Sequence, residues 1–269
     1  TNGGMDNNTN SGSYDIFLVK YNSSGEKQWT QQLGTSSDDQ AKGVTVDSSD
    51  NIYVIGNTSG GLDNNTNPSA SGGTSHGDKW DFFLVKYNSS GVKQWTQQLG
   101  TSSNDTAKGV VVDSSNNIYV TGSTSGGLAV PYTTGGTDGH TYTGTHSGNA
   151  AYDIFLVKYN SLGEKQWAQQ LGGGYFESGG FYPSGNDFGE GVTVDSSNNI
   201  YVTGSFSKSL DGLTNSGGSE IFLVKYNSSG VKQWTKALGS SAAEGLSSGW
   251  DTGRGVTADS SGNIYVTGT

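Results

Sequence analysis

Short apolar runs rich in Val, Ile, Phe, Tyr and Trp alternate along this chain with polar clusters of Ser, Asn, Asp and Gly. No stretch sustains a 3.6-residue period, so the pattern predicts strands joined by tight turns and no helix. The runs recur in one order. "DIFLVKYNSSGEKQWTQQLG" begins at Asp15, "DFFLVKYNSSGVKQWTQQLG" at Asp81, "DIFLVKYNSLGEKQWAQQLG" at Asp153 and "EIFLVKYNSSGVKQWTKALG" at Glu220. Each is followed by a second block, "GVTVDSSDNIYVIGN" from Gly43 and its counterparts from Gly109, Gly191 and Gly255. The unit of about 67 residues falls in the range of solenoids, propellers and arrays.

Each unit holds four strands. "GVTVD" and "NIYVTG" are joined by two serines and an Asp, Asn or Gly, which is hairpin-turn chemistry. "IFLVKY" and "KQWTQQL" are joined by "NSSG" or "NSLG", with glycine late in the turn. Four antiparallel strands repeated radially make a propeller blade. The expected fold class is therefore an all-β β-propeller of four-stranded antiparallel blades. One domain is expected over residues 1–269, with repeat units near 1–57, 58–122, 123–204 and 205–269.

The blocks that carry this reading, "GVTVDSSGNIYVTG" and, after a gap, "DIFLVKYNSSGEKQW", resemble the bacterial β-propeller repeat called SBBP, and their layout is similar to NHL-type blades. The resemblance implies a strand order from the centre outwards of "GVTVD", "NIYVTG", "IFLVKY" and "KQWTQQL". The chain then begins before a third strand and ends after a second one. Thr269 takes the place of Asn57 and Thr1 that of Thr58, so the two ends are halves of one blade in register. Mid-blade, two-plus-two closure satisfies that register either within one chain or between neighbouring chains.

The two hairpin turns hardly change length between units, whereas the other two connections do. One kind spans residues 57–80, 123–152 and 205–219, and the other 35–42, 101–108, 173–190 and 240–254. In a four-stranded blade these connections share one face, and insertions gathered on one face of a repeat protein mark its binding face. Aromatic side chains stand there among Gly, Ser, Asn and Asp: Tyr132, Tyr142, Tyr175, Phe176, Phe181, Tyr182, Phe188 and Trp250. All but Phe188 are taken as ligand-binding candidates, because such rings contribute contact area at low entropic cost. The alternative is that they fold inward and staple the long loops.

An aspartate precedes each "GV" strand in the motif D-x-x-(K/E/R)-G: Asp39, Asp105, Asp187 and Asp251, with Lys42, Lys108, Glu190 and Arg254 at the variable charge. At the start of the innermost strand the four could ring a channel mouth and hold Ca²⁺, or each could cap its own loop. Asp47, Asp113, Asp195 and Asp259 lack alternating calcium-ligand spacing and read as turn residues. "DNNTN" at Asp6 and Asp63 is a weaker calcium-loop candidate. His76, His140 and His146 occupy long connections without zinc spacing. Trp29, Trp95, Trp167 and Trp234 read as packing between blades, and Lys20, Lys86, Lys158 and Lys225 as guards of a strand edge.

Bulk composition narrows the function. Net charge is −10 and the pI near 4.5, which disfavours nucleic acid and anionic membranes as partners. No apolar stretch is long enough to span a bilayer, and no cysteine is present for a disulfide or thiolate site. The chain opens on Thr1 without Met or a leader, which points to a processed or trimmed product. Glycine-rich stretches lack a phosphate-loop lysine, and no nucleophile elbow occurs, so no enzymatic role and no required cofactor are expected. The expectation is a non-catalytic extracellular or cell-surface interaction module that binds a polysaccharide or surface protein, with Ca²⁺ as an accessory ligand. A structural subunit that self-assembles into a fibre or larger ring by completing blades between chains is the alternative.

Overall fold

Asp47 organises the first tight turn of the repeat with its own side chain. Its Oδ1 accepts the N–H groups of Ser49 and Asn51, both at 2.9 Å, and its Oδ2 accepts Asn51 Nδ2 at 2.8 Å and the Tyr53 hydroxyl at 2.9 Å. Asp113, Asp195 and Asp259 repeat the pattern. The residue that varies as Asp, Asn or Gly is the one with positive φ: Asp50, Asn116, Asn198 and Gly262. These residue types tolerate the left-handed region, so the substitution pattern follows the backbone. In the other hairpin, the side chains of Asn22, Asn88, Asn160 and Asn227 take the corresponding role, each accepting backbone N–H groups two and four residues on.

The computed structural model describes residues 1–68, 79–128, 151–172, 175–177, 180–182, 185–207, 209–215, 218–239 and 249–269. Two compact units divide the chain, Thr1–Ala107 and Lys108–Thr269. In the first, β1 (Ile16–Tyr21) and β2 (Lys27–Leu33) form a two-stranded sheet. β3 (Asp39–Val46), β4 (Ile52–Thr58), β5 (Asp81–Tyr87) and β6 (Lys93–Leu99) form a complete antiparallel blade in sequence order. β7 (Asp105–Val112) starts at the end of this unit and joins β8 (Ile118–Thr124), β9 (Asp153–Tyr159) and β10 (Lys165–Leu171) in the next blade.

In the second unit β11 (Tyr175–Glu177) and β12 (Gly180–Tyr182) make a short hairpin inside a variable connection. β13 (Phe188–Val194) and β14 (Ile200–Phe206) begin a third blade. A second small hairpin, β15 (Ser209–Leu210) and β16 (Leu213–Thr214), precedes β17 (Glu220–Tyr226) and β18 (Lys232–Leu238), which finish that blade. β19 (Gly253–Ala258) and β20 (Ile264–Gly268) stand as a second two-stranded sheet. The strand order and the propeller blade follow the sequence reading. Among the described residues, two added hairpins and a 3₁₀ turn at Leu62–Asn64 depart from four strands and no helix per unit. The 3₁₀ turn stays short because Asp63 within it has φ of 51°, which ends helical propagation.

Blades bury both faces of their middle strands, so β4, β8 and β14 are buried along their whole length. In the second unit β13 packs against β8, and β19 against β13. There the innermost strands approach so closely that a Cβ on Gly109 would lie 3.1 Å from the Glu190 carbonyl, and one on Gly191 3.2 Å from that of Arg254. Glycine at this place in the motif is a packing requirement.

The repeated tryptophans pack first within their own blade, Trp95 meeting Tyr53 at 6.0 Å and Trp167 meeting Tyr119 at the same separation, and the expected contact between blades is that of Trp29 and Trp167 with the turn glycines Gly91 and Gly230. Three of the four repeated lysines do not guard an edge. β5, β9 and β17 are interior strands, and Lys86, Lys158 and Lys225 lie 5.3–5.4 Å over the rings of their cross-strand neighbours Tyr53, Tyr119 and Tyr201. A long stem lets the ammonium reach solvent from a buried strand.

Candidate functional site

The variable connections are rooted by side chains that recur from blade to blade. Beyond β4 the chain turns down onto β6, and Leu62 enters the core fully buried. The Gln98 side chain reads this turn from below: Oε1 accepts the Leu62 N–H at 2.9 Å, and Nε2 donates to the Gly60 carbonyl at 3.0 Å. Asp63, next in sequence, pairs with the Lys93 ammonium and accepts the Thr96 hydroxyl. The same parts return as Met5 with Gln32 and as Leu128 with Gln170. Asp6 is held by Lys27 and Thr30, and Asp211 by Lys232 and Thr235. The Lys27 hydrogen bond, followed by that from Thr30, holds the Asp6 carboxyl below its ordinary range. An ammonium and a hydroxyl thus face each of the two carboxylates, Asp6 and Asp63, that "DNNTN" offers to a cation.

The other connection is closed by the motif aspartates. Asp39 Oδ2 accepts the N–H of Thr35 at 2.6 Å and its hydroxyl at 3.0 Å, and Asp105 does the same with Thr101 at 2.6 and 2.9 Å. Asp187 accepts the Ser207 N–H at 3.3 Å. Their own N–H groups tie each loop to the start of the preceding blade's third strand: Asp39 to Tyr14 O, Asp105 to Trp80 O, Asp187 to Tyr152 O and Asp251 to Ser219 O. Asp39, Asp105 and Asp187 are all buried; Asp39 and Asp105 cap their own loops, whereas the Asp187 carboxylate reaches the connection that follows β14. Among the described residues no group of three or more His, Asp or Glu side chains is arranged to hold a metal ion.

Beside each of these lies a second acid, the first residue of the "DIFLVKY" block. Gln98 Nε2 donates to Asp81 Oδ2 at 2.8 Å, and Gln32 and Gln170 do so to Asp15 and Asp153. Burial pushes the Asp81 carboxyl up to about 7, with the Asp105 charge adding to it and the Gln98 bond opposing it. Burial likewise raises Asp39, partly offset by bonds from Thr58 and Thr35 and reinforced by Asp15. Oδ1 of Asp15, Asp39 and Asp81 is buried without a hydrogen-bond partner. For Asp15 and Asp81 that oxygen sits in a notch left by a glycine, since a Cβ on Gly34 would come within 2.3 Å of it and one on Gly100 within 1.9 Å.

These acid pairs escaped the sequence reading, which singled out only one member of each. A signal was present. In the fourth repeat the Asp becomes Glu220 and the Gln becomes Ala237 together, and those residues hold equivalent positions in the β17–β18 register.

Of the aromatic candidates, Trp250 is exposed over 76% of its surface and bridges Ser219. Tyr175, Phe176, Phe181 and Tyr182 lie on the β11–β12 hairpin, with Tyr175 opposite Tyr182 and Phe176 opposite Phe181 in its register. Tyr132 and Tyr142 fall outside the described residues, as do the three histidines. Phe188 turns to the ring of Tyr152 at 5.5 Å. At Met5, Leu62 and Leu128 the turn is held by a glutamine side chain rather than by an aromatic ring.

The strand-turn-strand pattern is matched by a family model four times, at residues 28–63, 94–129, 166–205 and 233–269, and that model is the SBBP β-propeller repeat. The chain belongs to this family. Each SBBP match begins in an outer strand, crosses the aspartate connection and runs through the first two strands of the next blade to the end of the second or just beyond it.

Two curated proteins are similar. An uncharacterized WD repeat-containing protein of Acanthamoeba polyphaga mimivirus is 28% identical over 87% of this chain, and the regulatory protein FlaEY of Caulobacter vibrioides is 30% identical over 46% of it. The matches span 19% and 13% of those proteins' own lengths. A crystal structure of a protein of unknown function from Bacteroides caccae, 10% identical, overlaps 94% of this chain and 65% of its own at a TM-score of 0.41.

Proposed function

We propose that this SBBP chain is a non-catalytic interaction module of the cell exterior, which holds variable loops on one face of its blades for a polysaccharide or a surface protein. The observation that carries this reading is the contrast between roots and loops. The turn at Leu62 is fixed by Gln98 and Asp63, the loop before β7 is clamped by Asp105, and connections of different length leave such roots from one blade end. Rigid supports under variable segments are how scaffolds present binding residues. The exposed Trp250 on one such connection adds a ring of the kind that stacks on sugars or anchors protein contacts. Family membership and the WD-repeat relative support a scaffold rather than an enzyme.

The test is affinity electrophoresis against neutral and acidic polysaccharides, with surface-protein overlays in parallel, each run with calcium and with chelator. Trp250→Ala and Tyr182→Ala are expected to weaken binding at least tenfold while leaving the fold intact. Unchanged binding of both variants to every partner that the parent chain retains would overturn the loop assignment. Dependence on chelator would add Ca²⁺ to the ligand set, and its absence would remove it.

A further inference from the structure

The two variable connections that flank the β5–β6 hairpin are tied to each other at their roots. Trp80 and Asp81 close one, and Asn104 and Asp105 close the other. Asn104 Oδ1 accepts the Trp80 N–H at 3.2 Å, and the Trp80 carbonyl accepts the Asp105 N–H at 2.6 Å. These reciprocal bonds bring together two acids, both of them fully buried. Tyr152 and Asp153 are joined to Asn186 and Asp187 in the same way in the second unit.

Each acid holds a different connection. Asp81 is linked through Gln98 to the Gly60 carbonyl and the Leu62 N–H, whereas Asp105 accepts the N–H and hydroxyl of Thr101. Around Asp81, β4 sets Thr58 opposite it in register, β6 supplies Gln98, and the charge that acts on it is that of Asp105. Among the described residues no lysine or arginine pairs with Asp81: the Lys93 ammonium is engaged by Asp63, and Lys79 is exposed. Asp81 Oδ1 is buried against Gly100 without a hydrogen-bond partner. An ionised carboxylate with an unpartnered oxygen is costly to bury, and a second carboxylate beside it raises that cost. A neutral carboxyl escapes both.

We propose that the pair of Asp81 and Asp105 is a proton-operated latch, which holds both connections while one proton is bound and loosens both when that proton leaves. In weak acid the proton stays on Asp81, whose carboxyl burial pushes up to about 7. As pH rises through that value the proton passes to solvent, and two like charges share a dry site. Water that enters to hydrate them competes with Gln98 and Thr101 for the carboxylate oxygens. The bonds at risk are therefore those that root residues 60–62 and 101–105. The fourth repeat lacks the device: Ala237 stands where Gln98 does and offers no amide to connect Glu220 with the turn at Leu210. The latch lies under the loops assigned to ligand binding and rests on that reading for its use, but not for its action.

The experiment is hydrogen–deuterium exchange of residues 1–269, parent and Asp81→Asn, with protection corrected for intrinsic exchange. Between about pH 5.5 and about pH 8.5 the parent's Leu62 and Thr101 amides are expected to lose about tenfold or more of their protection. The Val85 amide of β5 and the turn at Leu210 should lose clearly less. Asp81→Asn keeps the shape without the proton, so its Leu62 and Thr101 should be protected alike at both pH values. A carbon-13 carboxyl titration of the parent reads Asp81 directly, which keeps the test decisive if the variant does not fold. A midpoint near 7 is expected, and one below about 5 overturns the proposal. Equal protection of Leu62 in the parent at both pH values, a step that persists in Asp81→Asn, or a fall shared equally by Val85 overturns it too. No ligand enters these measurements, so the loop assignment of Trp250 stands or falls by its own test.

Discussion

Gln98 and Asp81 are joined by a 2.8 Å hydrogen bond between facing strands, and the same amide holds the turn above them through Gly60 and Leu62. One side chain thus connects the interior acid to the root of a variable loop. Gln98→Ala removes three partners at once, leaving a buried carboxylate oxygen and a backbone N–H to find others. A loss of about 2–3 kcal/mol in urea unfolding is expected, with new protease cleavage near residues 59–67. Gln98→Glu should cost more than alanine, because it sets a second negative charge against Asp81. If Gln98→Ala unfolds with the parent, the amide does not support the loop.

Acidity acts through the same pair. Asp81 holds its proton up to about pH 7 because it is buried and faces Asp105. Its folded pKa is above the unfolded one, so its favourable contribution is complete below about pH 4 and is lost as pH rises through 7. Asp39 acts in the same direction, again chiefly from burial. Asp195 acts oppositely: burial raises it, but bonds from Asn199, Tyr201 and Ser197 outweigh this, so its support is lost only in acid below its unfolded value. Stability is therefore expected to fall by on the order of 2–4 kcal/mol between pH 5 and pH 8, and Asp81→Asn should flatten much of that slope. A variant with the parent's slope would place the titration elsewhere.

These two relationships differ in how legible they were. The Asp47-type turns write their hydrogen bonds within a few residues, so the blade and its two constant turns could be read from the chain alone. The acid pairs could not, since Asp81 and Asp105 belong to different blades and their burial depends on a notch made by Gly100. The staple was missed for a related reason: Leu62 is an ordinary aliphatic residue among glycines, whereas the aromatic rings drew the eye.

Asp113 provides a direct measure of turn strength. It is 6% exposed and accepts four hydrogen bonds, including that of the buried Tyr119 hydroxyl at 3.0 Å. Asp113→Ala should cost about 2–4 kcal/mol, and Tyr119→Phe about 1 kcal/mol. Asp259→Ala, which loses the same bonds at an exposed site, should cost clearly less by thermal unfolding. Equal effects at the two aspartates would mean that burial does not set the strength of the turn.

Two glycines with nearly the same backbone separate conformational strain from packing. Gly25 has φ of 79° and open space where a Cβ would stand, whereas Gly91 has φ of 81° and the Trp29 ring 2.9 Å from that point. Gly25→Ala should therefore cost about 1–2 kcal/mol for the left-handed conformation alone. Gly91→Ala adds overpacking against the indole, for a total of about 2–4 kcal/mol and a shift in Trp29 fluorescence. A double-mutant cycle with Trp29→Leu isolates the second part, because the smaller side chain relieves the clash and leaves the φ cost in place. Coupling of about 1 kcal/mol or more is expected, with the second alanine less harmful once the indole is gone. A cycle that closes without coupling would mean that this turn does not rest on the tryptophan of the preceding half-blade, and the packing assigned to the repeated tryptophans would fail at its first position.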